Sequence, residues 1–598
     1  MAGTVLERLS GKKLAILCLI LFISQIICFL IGGLIAPEPS NVQQILATTC
    51  FDKNKLFSNS GNNGSFIYLR PSQKSNCIPF DLDEFTSDEE LTKYSTKHNI
   101  QADNVIFVFQ LPLPKDRMDL DMSRWFNSML TLLMVDIEYR KDIELTSKYI
   151  RIEAKLAYRN KRDKPDQWTL MAHSLQDRLL KCHIDENSKI EGYYYNCSTL
   201  PFFELGNVHH DFYLVNLRLP THPGSDINTA IGKIKDIWLV EIHQNGGFTR
   251  VWFSLKIVWF PVILALTIWF WNRVVTSSGL NDGKRSETYE SGSVAVKSSP
   301  SLLEYTILAL ASAMTLLNMP VDVFSLWFDM PYMLFFGDIR QGIFYVVLFV
   351  FWIIFCGEHL IDDVPRNRLS AYWKYLIGVG SACIFLFVFE LCERGIELKD
   401  PFFSIWSTEA GTRIAISILS LSVICMACYL VMLSHLIYRV FANVSKKRLL
   451  LPAMNKSVKL KYQGIMYRFR FLMSATCACA AMTVAFFLAS HVNENSWKWD
   501  LGDSRSKQHG GGYAPALQYA SAFYTGVYGM WNLYVAAVLA LYAPSRKTKM
   551  DDISEEQECI EINNNQNHYD TSNSSNAYYP KSNEISALTS FLRKENID

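Results

Sequence analysis

The sequence predicts a polytopic α-helical membrane protein with eight spans and a lumenal β-sandwich domain. Of its 598 residues, 49% are hydrophobic and 13% are aromatic, and the apolar residues fall into eight blocks. Lipid offers the backbone no hydrogen-bond partner, so each crossing segment must be a helix of roughly 20 apolar residues. Two more observations support this fold class: one long polar region follows the first apolar block, and a strongly basic loop lies late in the chain.

The first apolar block, residues 14–36, predicts a first transmembrane helix that is not cleaved. It is longer than the apolar core of a signal peptide, and it lacks a small-x-small cleavage site. Arg8, Lys12 and Lys13 precede it, and basic residues favour the cytosolic side of a membrane. We therefore expect residues 1–13 to form a cytosolic amino terminus.

Residues 37–250 form a polar region that is long enough for a domain of its own. Because it follows a single crossing, we place it in the lumen. It contains four of the 14 cysteines, Cys50, Cys77, Cys182 and Cys197, and we interpret these as two disulfides. Chain order suggests Cys50 with Cys77 and Cys182 with Cys197, one of three possible connectivities.

Two N-glycosylation sequons lie in the same region, at Asn63 and Asn196. Sequons also occur at Asn443 and Asn573, in segments that we place in the cytosol, so the triplet alone is weak evidence. Its agreement with the four cysteines is what supports a lumenal location.

Alternating apolar residues predict β-strands in this region, for example at 152–158 and 213–219. The stretch 235–242, the Asn245-Gly246-Gly247 triplet and residues 248–253 together predict a hairpin whose second strand runs into the membrane. These signals together predict a mainly β, sandwich-like domain.

Seven more apolar blocks make up a predicted seven-helix transmembrane bundle over residues 251–543. The blocks lie at about 251–271, 302–319, 342–360, 376–392, 414–437, 471–490 and 519–543. Residues 439–470 hold nine lysines and arginines and no acidic residue, which places that loop in the cytosol. Both termini then lie in the cytosol, and residues 544–598, rich in Asn, Ser and Glu, predict a disordered tail.

Charged residues near membrane depth are costly and mark candidate functional sites. We expect most of them to lie at helix ends and to pair with one another, Asp338 with Arg340 and Glu393 with Arg394. The cluster at 357–363 has one histidine and three acidic residues, but its spacing matches no zinc-protease pattern. We predict no metal, no cofactor and no catalytic residue.

The stretch Tyr462-Gln463-Gly464-Ile465 fits the Tyr-x-x-apolar signal that clathrin adaptors bind as an extended peptide. Tyr462 and Ile465 would each fill one pocket. Four-residue matches are common, and the alternative is a tyrosine at the membrane interface beside the next helix. Because this stretch lies in the basic loop that we place in the cytosol, the sequence supports the two interpretations equally.

Aromatic residues are dense in the fourth and fifth spans. Tyr345 and Phe349 share one helical face with Trp352, and Phe385 and Phe389 share another. Small residues beside large rings can leave a cavity. On the residues alone, ordinary packing between helices or against lipid is the favoured alternative.

Five blocks of the sequence are specific enough to identify a family. They are Ile31-Gly-Gly-Leu-Ile-Ala-Pro37, Ile242-His-Gln-Asn-Gly-Gly-Phe-Thr249, Phe336-Gly-Asp-Ile-Arg-Gln-Gly-Ile-Phe-Tyr345, Trp352-Ile-Ile-Phe-Cys-Gly-Glu-His359 and Tyr528-Gly-Met-Trp-Asn-Leu-Tyr534. Together they resemble the Wntless family, also called Evenness interrupted. The resemblance runs from the first helix through Pro544 and includes the four lumenal cysteines.

The resemblance implies a cargo receptor that binds palmitoleoylated Wnt proteins and escorts them to the cell surface. It implies residence in the endoplasmic reticulum, Golgi, plasma membrane and endosomes, and a bundle whose last seven spans resemble a G-protein-coupled receptor. The acyl-bearing hairpin of the Wnt is then expected to enter the bundle between the fourth and fifth spans. The candidate lipid-binding residues are Tyr345, Phe349, Phe385 and Phe389.

The resemblance also gives Tyr462 and Ile465 an endocytic role, with a clathrin adaptor and retromer as partners. Membrane lipid is a further expected partner, whereas a net charge of +1 gives no reason to expect nucleic acid. The ending Arg593-Lys-Glu-Asn-Ile-Asp598 only partly resembles basic-acidic signals for return to the endoplasmic reticulum, so that return stays open.

Two other function classes make different demands on the sequence. A signalling receptor would carry Asp-Arg-Tyr at its third receptor-like helix and Asn-Pro-x-x-Tyr in its last, where this chain has Asn532-Leu533-Tyr534. A membrane enzyme such as an acyltransferase would need a buried acid–base or nucleophile pair, and no pair with convincing spacing occurs. The sequence therefore favours a carrier over both alternatives.

Overall fold

The computed structural model describes the chain in segments that cover most of the sandwich and most of the bundle. They are residue 5 and residues 11–52, 77–79, 88–98, 104–114, 120–141, 145–165, 167–186, 189–221, 227–229, 231–277, 300–358, 368–450, 473–479, 481–482 and 520–544. The predicted sequon at Asn63, the Tyr462 and Ile465 motif and the tail from residue 545 lie outside them.

Residues 40–244 form a β-sandwich of two sheets. One sheet has the order β1-β11-β5-β9, and the other has the order β3-β2-β4-β10-β6-β7-β8. The strands are β1 (Ser40–Leu46), β2 (Thr48–Asp52), β3 (Cys77–Pro79), β4 (Val105–Leu111), β5 (Met129–Glu138), β6 (Ser147–Arg159), β7 (Thr169–His183), β8 (Asn196–Cys197), β9 (Leu200–Leu205), β10 (Phe212–Arg218) and β11 (Lys233–Gln244). A helix that we label α2 (Asp88–His98) lies between β3 and β4.

The alternating pattern that predicted strands becomes the core of this sandwich. Val215 of β10 lies between Phe109 of β4 and Leu156 of β6 in antiparallel register. All three side chains are at most 1% exposed. Residues two apart on a strand point to the same face, so one apolar stripe on each strand is enough to build this layer.

One disulfide closes the edge of the larger sheet. It joins Cys182 of β7 to Cys197 of β8, the pair that chain order suggested. Cys50 is disulfide-bonded as well, and its strand β2 pairs with β3, which carries Cys77. The Cys50–Cys77 pairing stays a prediction.

Six helices of the described residues are long and apolar enough to cross a membrane. They cover Gly11–Ile35, Gly246–Ser277, Leu302–Leu326, Met333–Glu358, Trp373–Glu397 and Glu409–Ala442. Their α-helical parts are α1 (Gly11–Leu30), α3 (Gly246–Ser277), α4 (Leu302–Asn318), α5 (Met333–Glu358), α6 (Trp373–Glu397) and α7 (Glu409–Leu450).

The other two predicted blocks, the seventh and the eighth, are helical where the structure describes them. The eighth is a helix, α8 (Ala520–Tyr542), which buries the polar residues Ser521, Thr525 and Asn532 among its apolar ones. The seventh is helical where it is described, at 473–479 and 481–482. The count of eight spans and the likeness of the last seven to a G-protein-coupled receptor stay predictions.

The first and last helices pack closely because both present small residues at their contact. After α1 the backbone continues as a π-helical turn over Ile31–Ile35. A Cβ atom on Gly32 would overlap the Thr525 hydroxyl of α8, and one on Gly526 would overlap the Phe29 ring. Glycines at such close backbone approaches are typical of helix contacts within membranes.

The hairpin predicted at the boundary between sandwich and bundle is wrong in its second half. β11 is followed by the helix α3, so residues 248–253 are helical and not extended. The Asn245 side chain accepts a hydrogen bond from the Gly247 amide at 2.9 Å, as a helix N-cap does. The Asn-Gly-Gly triplet therefore begins a helix in place of the predicted turn.

One buried carboxylate ties three helices at the end of the bundle that faces the sandwich. Asp322 lies in the 3-10 segment Pro320–Leu326 after α4. Its oxygens accept hydrogen bonds from Lys256 of α3 and Arg340 of α5. All three residues are less than 9% exposed. Ions this deeply buried need partners, because their desolvation costs several kcal/mol each.

The predicted pairing of Asp338 with Arg340 is therefore wrong. Residues two apart on a helix do not face each other, and Arg340 also donates to the Met319 carbonyl at 2.8 Å. Asp338 lies instead 3.9 Å from Arg394 of α6. Arg340 and Asp338 thus each have a partner on another element, which spacing along one helix cannot reveal.

Replacing Asp322 with Asn keeps the side-chain shape but leaves Lys256 and Arg340 buried without their carboxylate. Removing one partner of a buried ion pair costs about 3–5 kcal/mol, so we expect a clearly lower melting temperature of the purified protein in detergent. Glu409→Gln is the matched control, because its pair with Arg413 is exposed. Equal melting temperatures for the two variants would contradict the role assigned to Asp322.

Candidate functional site

The two candidate lipid-binding residues of α5 lie in an aromatic cluster. Tyr345 and Phe349 stack with ring centres 6.3 Å apart, as residues four apart on a helix can. Phe349 also packs on Tyr429 of α7, with ring centres 5.2 Å apart. The Tyr429 hydroxyl donates to the Phe349 carbonyl at 3.1 Å. The cluster thus joins the fourth span to the sixth.

The same cluster continues to α8 through two tryptophans. Trp352 donates its indole N–H to the Tyr534 hydroxyl at 3.2 Å, and its ring centre lies 6.2 Å from that of Trp531. Trp531 is only 3% exposed, yet its Nε1 has no hydrogen-bond acceptor in the described part of the chain. A buried donor without an acceptor costs about 1–3 kcal/mol, which distinguishes Trp531 from Trp352 in the same cluster.

Sequence reasoning missed Trp531 as a site residue. It stands in the block Tyr528-Gly-Met-Trp-Asn-Leu-Tyr534, which served only to identify the family. Asn532 of the same block accepts a hydrogen bond from Asn318 of α4 at 2.6 Å. The Tyr528 hydroxyl donates to Asn318 at 2.6 Å. The polar groups of Asn318, Tyr528 and Asn532 are therefore hydrogen-bonded to one another, whereas the Trp531 N–H has no acceptor among the described residues. This difference makes Trp531 a candidate ligand contact.

The two candidate residues of α6 lie apart from this cluster. Phe385 and Phe389 are half-buried on a helix that packs between α5 and α7. Phe389 meets Trp406 of the next loop, with ring centres 6.2 Å apart. Among the rings of the described residues, no contact joins Phe385 or Phe389 to Tyr345 or Phe349. The four residues occupy neighbouring helices, and a common acyl slot stays a prediction.

The loop after α6 inserts a phenylalanine into the sandwich. Phe402 is 2% exposed, and its ring centre lies 5.4 Å from that of Phe202 and 5.7 Å from that of Phe203, both on β9. Arg178 of β7 donates to the Phe402 carbonyl. Burial lowers the pKa of Arg178 to about 10 although Asp400 acts in the other direction, so Arg178 stays cationic at neutral pH.

A second contact at this joint is an ion cluster around Arg394, which lies near the end of α6. Arg394 pairs with Glu204 of β9 and with Glu397, and Asp338 of α5 is the third carboxylate within 4 Å. The predicted pairing of Arg394 with Glu393 is wrong, because the Glu393 carboxylate accepts a hydrogen bond from the Ile405 amide at 2.9 Å. One guanidinium therefore fixes the ends of α5 and α6 to the sandwich.

The remaining predicted site residues lie on the sandwich or outside the described segments. Asn196 is exposed on β8, where a glycan has room, and its modification stays a prediction. His359, part of the cluster considered as a metal site, lies outside the described residues. Within the described residues, no group of three or more His, Cys, Asp or Glu side chains is arranged to hold a metal ion.

Comparison with known proteins matches both parts of the chain. A family model described as Wntless, GOLD domain, covers residues 48–244, and one described as Wntless-like, transmembrane domain, covers residues 245–546. The chain is 43% identical to the protein wntless homolog of Gallus gallus over 560 residues, 93% of each chain. It is 42% identical to the protein wntless homolog of Homo sapiens over 559 residues, again 93% of each. It is 40% identical to protein wntless of Drosophila sechellia over 613 residues, 100% of each.

Replacing Phe402 with Ala should loosen the joint between bundle and sandwich. Loss of a buried phenylalanine ring costs about 3–5 kcal/mol, so we expect faster hydrogen exchange in peptides that cover β9. Phe403→Ala is the matched control, because Phe403 is the adjacent ring but is only half-buried. If both variants exchange at the wild-type rate in β9, Phe402 does not hold the joint.

Proposed function

The chain belongs to the Wntless family, as its sequence blocks predicted, and we propose that it is a cargo receptor for palmitoleoylated Wnt proteins. It is an integral membrane protein, with six apolar helices of spanning length among its described residues. In this proposal it takes up acylated Wnt in the endoplasmic reticulum and escorts it through the Golgi to the plasma membrane. It then returns through endosomes. The sandwich faces the lumen, and both termini face the cytosol.

The physical need for such a carrier comes from the lipid. Each methylene group exposed to water costs about 0.8 kcal/mol, so a palmitoleoyl chain costs on the order of 10 kcal/mol. A secreted protein that bears this chain stays on membranes or aggregates unless another protein shields it. A receptor with a large apolar interior supplies that shield.

The observation that carries the proposal is the aromatic cluster of the bundle, with its open Trp531 N–H. The rings of Tyr345 and Phe349 supply apolar surface, and a buried indole donor suits the ester carbonyl of an acylated serine. Phe385 and Phe389 on the neighbouring helix α6 would line the other side of the chain. Because α5 and α6 both meet the sandwich at their ends, the protein part of the cargo and its lipid would be held side by side.

Replacing the four candidate residues Tyr345, Phe349, Phe385 and Phe389 with Ala should reduce co-purification of acylated Wnt. Loss of the ring contacts with the acyl chain should cost at least about 1.4 kcal/mol of binding free energy, or about tenfold in affinity. Phe351→Ala is the matched control, since Phe351 is buried on α5 and packs on Phe355. Undiminished recovery of acylated Wnt by the fourfold variant would reject these residues as the acyl site.

The same assay separates a carrier from a membrane acyltransferase. A carrier binds Wnt that is already acylated and does not bind a Wnt whose acylated serine is replaced by alanine. An acyltransferase would bind the unmodified Wnt and add the chain. We propose a carrier without catalytic activity, with no cofactor.

We further propose that Tyr462 and Ile465 bind a clathrin adaptor and that retromer returns the receptor from endosomes. Tyr462→Ala should then trap the receptor at the cell surface and slow the uptake of a surface-bound antibody several-fold. Tyr467→Ala is the matched control, because Arg470 stands where the motif needs a large apolar residue. An uptake rate for Tyr462→Ala equal to that of Tyr467→Ala would count against the motif.

A further inference from the structure

The segment between α4 and α5, residues 319–332, exposes four aromatic side chains. Phe324 is 50% exposed, Trp327 61%, Phe328 60% and Tyr332 49%. The rings of Phe324 and Trp327 lie 6.5 Å apart, and no other ring contact involves these four residues in the described part of the chain. We call this segment the aromatic loop.

The aromatic loop is held rigidly by its inner side. Asp322 and Ser325 point inward and are 8% and 0% exposed. Asp322 is bound by Lys256 and Arg340, and the Ser325 hydroxyl donates to the Asp322 carbonyl at 2.6 Å. These polar contacts fix the inner side of the loop, and the four rings lie on its outer side.

Apart from Asp329, which is exposed and lies next to the sandwich, the outer side of the aromatic loop is uncharged. Its two acidic residues are Asp322, which is buried, and Asp329, whose carboxylate accepts a hydrogen bond from Asn207 of the sandwich at 3.3 Å. A contiguous apolar surface of this kind is unfavourable in water. Large aromatic side chains at the end of a spanning helix are typical of the boundary between headgroups and acyl chains.

The position of the aromatic loop agrees with that boundary. The 17 residues of α4 extend about 25 Å at 1.5 Å per residue, close to the roughly 30 Å of a hydrocarbon core. Tyr305, at the other end of α4, is also exposed, at 49%. The segment Pro320–Leu326 packs on α3, whose Val258 is 60% exposed, so the apolar surface continues along the outside of the bundle.

We propose that the aromatic loop inserts into the interface of the bilayer leaflet next to the sandwich and fixes the height of the sandwich above it. Two hydrogen bonds link the loop to the sandwich: Arg124 donates to the Leu326 carbonyl at 3.2 Å, and Asn207 donates to Asp329. The proposed occupant is phospholipid, because the exposed rings lie at the end of a helix of spanning length, and the proposal does not depend on the cargo.

Brominated lipids test this assignment directly, because bromine quenches tryptophan fluorescence at short range. The full-length protein and its Trp327→Phe variant are reconstituted in phosphatidylcholine nanodiscs without cargo, and their difference signal isolates Trp327. We expect this signal to fall about twofold with lipids brominated near the headgroup end of the acyl chain, as a tryptophan at the interface requires. Bromine at the methyl end should have a weaker effect.

The control is Trp238→Phe, because Trp238 lies on β11 and donates to Asp136 within the sandwich. Its difference signal should not respond to either lipid. The proposal is overturned if the Trp327 signal is insensitive to bromine at both depths and is quenched instead by acrylamide in the aqueous phase. That result would assign the exposed rings to a protein partner.

Discussion

The shared carboxylate of Asp322 is the constraint on which this architecture depends. It is the anion for two buried cations from different helices, Lys256 and Arg340. Lipid cannot solvate such charges, so the three helices must meet at this point. Two neighbouring features of the fold connect to this point. β11 runs directly into α3, which sets where the sandwich stands, and the segment after α4 is fixed with its aromatic residues outward.

The second link between the two parts of the chain lies across the bundle, at α6. Phe402 enters the sandwich core, and Arg394 connects α5, α6 and β9 through its carboxylate partners. The ends of the two helices that carry the candidate acyl site are thus attached to the domain that would hold the protein part of the cargo. A shift of the sandwich would therefore move the ends of α5 and α6, and in the proposed carrier this would connect cargo binding to uptake or release of the lipid.

The sequence predicted the features that repeat along the chain and missed those that depend on distant contacts. Apolar length predicted the helices, and alternation predicted strands such as β6 and β10, because both patterns are local. The Asn245-Gly246-Gly247 triplet suits a turn and a helix cap equally well, so only the helix after it decides its role. The partner of Arg340 is 18 residues away and on another element, and Phe402 had no periodic pattern to mark it as core. Within the candidate site, the sequence could identify Tyr345 and Phe349 as neighbours on one helix. It could not show that the Trp531 N–H lacks an acceptor, because that depends on the surrounding helices.

The most direct test of the proposed carrier function is to locate the acyl chain when Wnt is bound. Wnt bearing a palmitoleate analogue with a photoreactive diazirine in its chain is bound to the full-length receptor, irradiated and analysed by peptide mass spectrometry. We expect cross-links to α5 and α6, with Phe349 and Phe389 among the labelled positions. Cross-links confined to the sandwich, or to lipid alone, would contradict a shelter for the acyl chain inside the bundle.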